Sequence, residues 1–161
     1  MHRTCATVFG TAVLAIAGCG DSKDSSSSSS KPLTKAQFIA KADGICKDTK
    51  KAQQPYSNQI DKLHQGDLKK AAPILEGALG VSKNGLARLK ALPSPSEDKA
   101  TLDQYYAAAD KVIAAHSDLT DAAKTNNAEK GKKVAATTDG LSADEGRLAD
   151  KYGIKECDNV F

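Results

Sequence analysis

The chain has 161 residues, 40% hydrophobic and 27% charged, with 23 Lys and Arg against 20 Asp and Glu for a formal charge of +3. That near balance, with no Trp and only 4% aromatics, excludes the basic stripe with interleaved stacking side chains that a nucleic-acid binder carries. The lysines read instead as solvated helix faces with at most a weak attraction to anionic lipid heads.

The first element is an export signal. Arg3 is followed by thirteen uncharged residues, Ala6 to Gly18. A helix needs about 20 apolar residues to span a bilayer, so this run is a secretory signal peptide rather than a membrane span. Ile16-Ala17-Gly18-Cys19 resembles the bacterial lipobox, in which small residues precede a cysteine that is lipidated and becomes the new amino terminus. The resemblance implies a signal peptide over residues 1–18 and acyl chains, palmitate among them, on Cys19. Two chains on one cysteine are enough for stable anchoring. The competing reading is an ordinary signal peptide cut elsewhere, with Cys19 left as a thiol. No later run is long and apolar enough to cross a bilayer, so the mature protein is expected on the extracytoplasmic face of the cell membrane, anchored without spanning it.

Residues 19–32 form the second segment. Gly20 to Lys31 includes six consecutive serines and no large apolar side chain, so it cannot bury enough surface to offset chain entropy. As a flexible coil of about 5–6 Å per square root of residue number, it holds the folded region roughly 20 Å from the lipid.

Cysteine usage then points to a bridge. Cys5 leaves with the signal peptide and Cys19 goes to lipid, leaving Cys46 and Cys157 as an even pair in an exported protein, where disulfides persist. In the chain-entropy model a loop of this length is worth about 4–5 kcal/mol. The alternatives are two reduced, buried cysteines or a thiol pair awaiting a metal. Loss of residues 1–18 removes one Arg and no acid, so the formal charge falls to +2.

Residues 33–161 read as helix nearly throughout. Thr34 is the first N-cap, with Leu33 and Phe38 as a hydrophobic staple. Phe38, Ala42, Ile45, Thr49, Ala52, Tyr56 and Leu63 form one apolar face. Pro55 is expected to kink or restart that helix. After a cap at Asp67, Leu68, Ala72, Leu75, Leu79, Ser82, Leu86 and Leu89 alternate steps of four and three, a heptad seam. Gly77, Gly80 and Gly85 interrupt its propensity; they mark either close packing or a bend that opens a pocket. Ser96 is the expected cap of a third helix opening on Glu97 and Asp98. Its stripe takes Leu102, Tyr105 or Tyr106, Ala109, Val112 or Ile113, His116, Leu119 and Ala123. Asn126 and Glu129 read as the next capping box, and Val134, Thr138, Leu141, Leu148 and Tyr152 as the fourth stripe, closed by Gly153 as a left-handed cap.

Four helices on short connections predict an all-α, up-down-up-down four-helix bundle. The first helix starts, and the fourth ends, at the same end of such a bundle. Cys46 lies about 18 Å along the first helix, and an extended Gly153–Cys157 reaches back roughly 13 Å. The tail is therefore expected to fold onto the first helix.

Phe38-Ile39-Ala40-Lys41-Ala42-Asp43-Gly44-Ile45-Cys46, with Gly153 and Cys157, resembles the small secreted lipoproteins of actinobacteria that carry an F-x3-A-D-x-I-C segment. The resemblance spans roughly residues 34–157, and it is specific only at the two cysteine-bearing ends. It implies a helical extracytoplasmic domain with a structural disulfide and brings no catalytic residue.

The chemistry-bearing residues are few. Glu97-Asp98 and Asp144-Glu145 are adjacent pairs that do not face one another on a helix, and they read as surface acids. His64, with Asp61 three residues earlier on the same helix face, and His116, in the third stripe, are weak metal candidates. The expectation is a non-enzymatic binding or interaction module without a cofactor, contacting an envelope protein or a small ligand. The alternative is a metal or small-molecule carrier using the bundle interior near His116.

Overall fold

The computed structural model describes residues 31–64 and 66–161. The expected signal peptide, Cys19 and the serine tract lie outside the described residues. Within them the protein is all α, with no strand: α1 (Lys35–Ile60), α2 (Leu68–Lys90), α3 (Lys99–Lys124) and α4 (Ala128–Tyr152). No helix among them is long and apolar enough to cross a membrane.

The helix ends follow local chemistry. Thr34 caps α1 in a capping box: its hydroxyl accepts from Gln37 N–H at 3.3 Å while the Gln37 side chain accepts from Thr34 N–H at 3.0 Å. α1 does not restart at Pro55; it continues five residues beyond, to Ile60. Asp98, not Ser96, is the N-cap of α3, and it makes no side-chain cap bond. Its carboxylate is committed elsewhere, accepting the Tyr152 hydroxyl at 2.8 Å. The α4 cap is Asn127 rather than Asn126. Asn127 Oδ1 accepts Lys130 N–H at 2.9 Å, and Asn126 spends its position on a left-handed turn, φ 53°. Gly153 ends α4 in the left-handed conformation, φ 104°, as its position after Tyr152 predicts.

The three α2 glycines sit in an unbroken helix. Gly77 and Gly85 mark close approach to α1: a Cβ at Gly77 would overlap the Tyr56 ring, and one at Gly85 the Thr49 side chain. Gly80 faces open space and borders, with Gly77, Tyr56, Val81 and Arg88, an open depression between α1 and α2. The bend that would have opened a pocket is replaced by tight helix packing.

Extensive interfaces join α1 to α2, α2 to α3 and α3 to α4, but α1 and α4 share none of comparable size. The segment after Gly153 takes that place. Ile154, Cys157, Val160 and Phe161 are all buried. Cys46 and Cys157 form a disulfide with Cα atoms 5.0 Å apart. Asp43 Oδ1 accepts Glu156 N–H at 2.9 Å, and the Gln53 amide donates to the Val160 carbonyl at 2.9 Å, so the tail tracks α1 from Asp43 to Gln53. On its α4 side the tail crosses Gly146, where a Cβ would overlap the Asp158 carboxylate.

The hydrophobic core cluster gathers around this tail. It joins Phe38, Ala42, Ile45 and Cys46 of α1 to Leu86, Leu89, Leu102, Tyr105, Ala109, Ala149 and Tyr152. Phe38 and Tyr152 meet edge to face, centroids 5.9 Å apart. Of the two candidate tyrosines in α3, Tyr105 is the fully buried one; half-buried Tyr106 donates its hydroxyl to the Leu89 carbonyl at 3.4 Å.

Candidate binding site

The α1 stripe thins towards its far end, where Ala52 is exposed and Tyr56 half-buried, and the last tail contact there is Gln53. Beyond it, α1, α2, α3 and the tail enclose a hollow of about 250 Å³. Leu75, Leu79, Leu119, Val160 and Phe161 form its apolar side, and Gln53, Ser57, Ser82, His116, Thr120 and Asn159 its polar side. No Lys, Arg, Asp or Glu lines it. Three of the polar groups, Gln53, Ser82 and Thr120, are already engaged. The Gln53 amide bridges Ser82 Oγ at 2.8 Å and the Val160 carbonyl, and Thr120 Oγ1 donates to the His116 carbonyl at 2.8 Å.

The heptad step from Ala109 and Val112 carries His116 to this wall, half-buried. Burial pushes its imidazole below the ordinary value of 6.5, so at pH 7 the ring is neutral, one nitrogen donating and one accepting. His116, Asn159 and Phe161 also line a second hollow of about 590 Å³ on the α4 side, with Thr138, Asp139, Ser142 and Asp158. Those three side chains are therefore a shared partition. A further groove, lined by Leu68, Leu119, Ala128, Gly131 and Ala135, opens between the starts of α2 and α4.

His64 is not part of this site. α1 ends at Ile60, so Asp61 and His64 lie in the following turn, both exposed, and the shared helix face expected for them does not exist. Among the described residues no group of three or more His, Cys, Asp or Glu is placed to hold a metal ion.

One residue is far from its expected place. Glu145 is not a surface acid but 1% exposed, in the gap between Leu141 and Leu148 of the fourth stripe. It lies close to the buried Tyr105 hydroxyl, yet neither that hydroxyl nor either carboxyl oxygen completes a hydrogen bond of good geometry. Burial first, then the charge of Asp158, lifts the Glu145 carboxyl to about 7, against the opposing pull of Tyr105, Lys50 and the Asn159 N–H. Burial, with Glu145 beside it, pushes the Tyr105 hydroxyl up as well. The seven-residue interval between Leu141 and Leu148 was the available signal: a stripe stepping by three and four must pass through residue 144 or 145. Its neighbour Asp144 is exposed and pairs with Arg147 at 3.0 Å.

Comparison with protein-family models, with curated proteins and with solved structures finds no match to this chain.

Proposed function

We propose that this protein is a lipoprotein anchored through Cys19 to the extracytoplasmic face of a cell membrane, with a non-enzymatic helical domain that binds an envelope protein. The four helices run up-down-up-down in this reading. In support, α1 meets α2 through Asp48–Arg88 and Tyr56–Gly77, α2 meets α3 through Lys90–Asp110 and Glu76–Lys124, and α3 meets α4 through Asp118–Lys130. From α1 to α2 and from α2 to α3 the contact position falls in the second helix as it rises in the first, and Asp118 near the end of α3 faces Lys130 at the start of α4. The Phe38–Cys46 segment and Cys157, similar to small actinobacterial secreted lipoproteins, support the same placement.

The observation that carries the binding reading is the open end of the domain. There Leu68, Leu75 and Leu119 remain half-buried around two depressions that share Leu119, whereas the core near the disulfide is built of fully buried large side chains. A photo-crosslinking side chain at exposed Ala135, in the open groove, should capture a membrane-associated protein in intact cells. The same side chain at exposed Ala40 should not, and Leu119→Glu should abolish the capture; equal labelling from both positions rejects the reading. Cys19→Ala should release the protein from the membrane fraction, and an unchanged distribution rejects the anchor.

A second reading, a carrier of a small molecule, is favoured by the uncharged lining of the hollow at His116. Native mass spectrometry of the mature chain, extracted in detergent without chelators, should then show a bound mass that His116→Ala loses.

A further inference from the structure

The tail segment beyond the disulfide covers a buried carboxyl that lacks a completed hydrogen bond. Cys157 is pinned to Cys46 and Glu156 N–H to Asp43, but after them the hold on the helices narrows to the Gln53 amide on the Val160 carbonyl, the Asn159 N–H directed at Glu145, and the burial of Val160 and Phe161. Beneath this segment lies Glu145, buried without a completed hydrogen bond, and Asp158 packs over the adjoining Gly146. The same segment supplies Asn159 and Phe161 to the partition of the hollow.

We propose that Asp158–Phe161 is a pH-responsive wall of that hollow, shut over Glu145 while its carboxyl is protonated and released when it ionises. The proposal rests on reading the hollow as a ligand site, whose regulation it supplies.

The groups facing Glu145 decide the direction. From α3 comes the neutral Tyr105 hydroxyl; from α1, Lys50, whose charge favours ionisation; from the tail, the Asp158 carboxylate, which opposes it, and the Asn159 N–H, which favours it. On α4 itself Asp144 and Arg147 pair with each other at the surface. His116, across Phe161, is held neutral by burial and contributes no charge at neutral pH. Desolvation outweighs the favourable partners, so the shut form holds its proton up to about pH 7, whereas a carboxyl freed into water titrates near 4.5. By linkage, shutting takes up a proton between those limits. The ratio of released to shut form then climbs by up to about tenfold per pH unit and levels off above about 7. The disulfide keeps the movement local, because the chain before Asp158 stays tied to α1.

The test is hydrogen exchange on the full chain in detergent from pH 4.5 to 8.5, comparing the peptide over residues 153–161 with one from α3 as internal reference for the intrinsic pH dependence. The tail's relative protection is expected to fall about tenfold per unit over part of the range below pH 7, then flatten. Glu145→Gln should remove that dependence. A flat native profile, or a Glu145→Gln profile that still titrates, overturns the proposal. Should Glu145→Gln fail to fold, exposed Asp158→Asn serves: it should narrow the response at its upper end, and an unchanged profile counts against the wall. No ligand is present in either measurement, so failure of the ligand-site reading leaves the tail's result legible on its own.

Discussion

The two ends of the helical domain differ in what fills them. At the disulfide end, α1 and α4 are separated by a tail that inserts Ile154, Cys157, Val160 and Phe161, and large side chains such as Phe38, Leu89, Leu102 and Tyr105 are fully buried around it. At the other end the tail does not reach. The inward positions there are largely Ala72, Ala115, Ala122, Ala123 and Gly131, and the larger Leu68, Leu75 and Leu119 stay half-exposed. Small side chains let neighbouring helices approach, but they cannot span an interior whose fourth edge is missing. Closure between α1 and α4 is thus a property of the tail rather than of the four helices, and the hollow at His116 lies where the tail stops.

The sharpest test of that contrast is a truncation at each end. Phe38→Ala should lower unfolding free energy by about 3–5 kcal/mol, and Leu119→Ala by under about 2 kcal/mol, because only the former empties a fully packed site. Chemical denaturation measures both, and equal losses would erase the distinction between the ends. Next in size, Cys46→Ser should cost about 2–4 kcal/mol through the lost cross-link of residues 111 positions apart. It should also open residues 153–161 to proteolysis while α2 and α3 stay resistant. A melting temperature unchanged from the oxidised protein contradicts this.

The pH dependence comes third. Glu145 has its folded value raised above the unfolded one, so its contribution is fully present below about pH 4.5 and is lost as pH rises to about 7. Relative to native protein, Glu145→Gln should therefore gain up to about 3 kcal/mol between pH 4.5 and 7.5. Parallel stability–pH curves for the two proteins would show that the carboxyl is solvated after all. The smallest effects are a pair of opposite sign on α2. Gly85→Ala should destabilise by about 1–3 kcal/mol, because the new methyl meets Thr49. Gly80→Ala, facing open space, should stabilise by up to about 1 kcal/mol. Thermal melts with the same sign for both would mean that Gly85 is not a packing glycine.

Much of this arrangement was legible in residue order because it is local. Helix boundaries are set by residues within a turn of them, which is why Thr34, whose hydroxyl serves the amide three positions on, Asp67, and Gly153, which supplies the left-handed turn, are readable as such. The same rule misplaced Ser96 and Asn126. Asp98 is drawn to Tyr152, more than fifty residues away, and Asn126 takes up a left-handed turn. The heptad seam of α2 foretold its buried Leu79, Ser82, Leu86 and Leu89, whereas the α4 stripe is too sparse to rank its members. Four of its five named positions are only half-buried, and the position that mattered most, Glu145, was discounted because carboxylates belong at the surface unless something pays for burying them.

Composition and periodicity by themselves determined the all-α class and the four helices, which follow from short-range propensity, and left Cys46 and Cys157 as one even pair whose bridge the structure shows. Only the tertiary structure decided that the tail replaces an α1–α4 interface, that Gly77, Gly85 and Gly146 are points of contact, that His116 borders a hollow, and that Glu145 lies buried beneath Asp158 and Asn159. These depend on which surfaces meet across sequence separations of tens to more than a hundred residues. Desolvation and close packing act there without regard to chain order, so a local pattern can place His116 and Glu145 on an inward stripe but does not say what they meet.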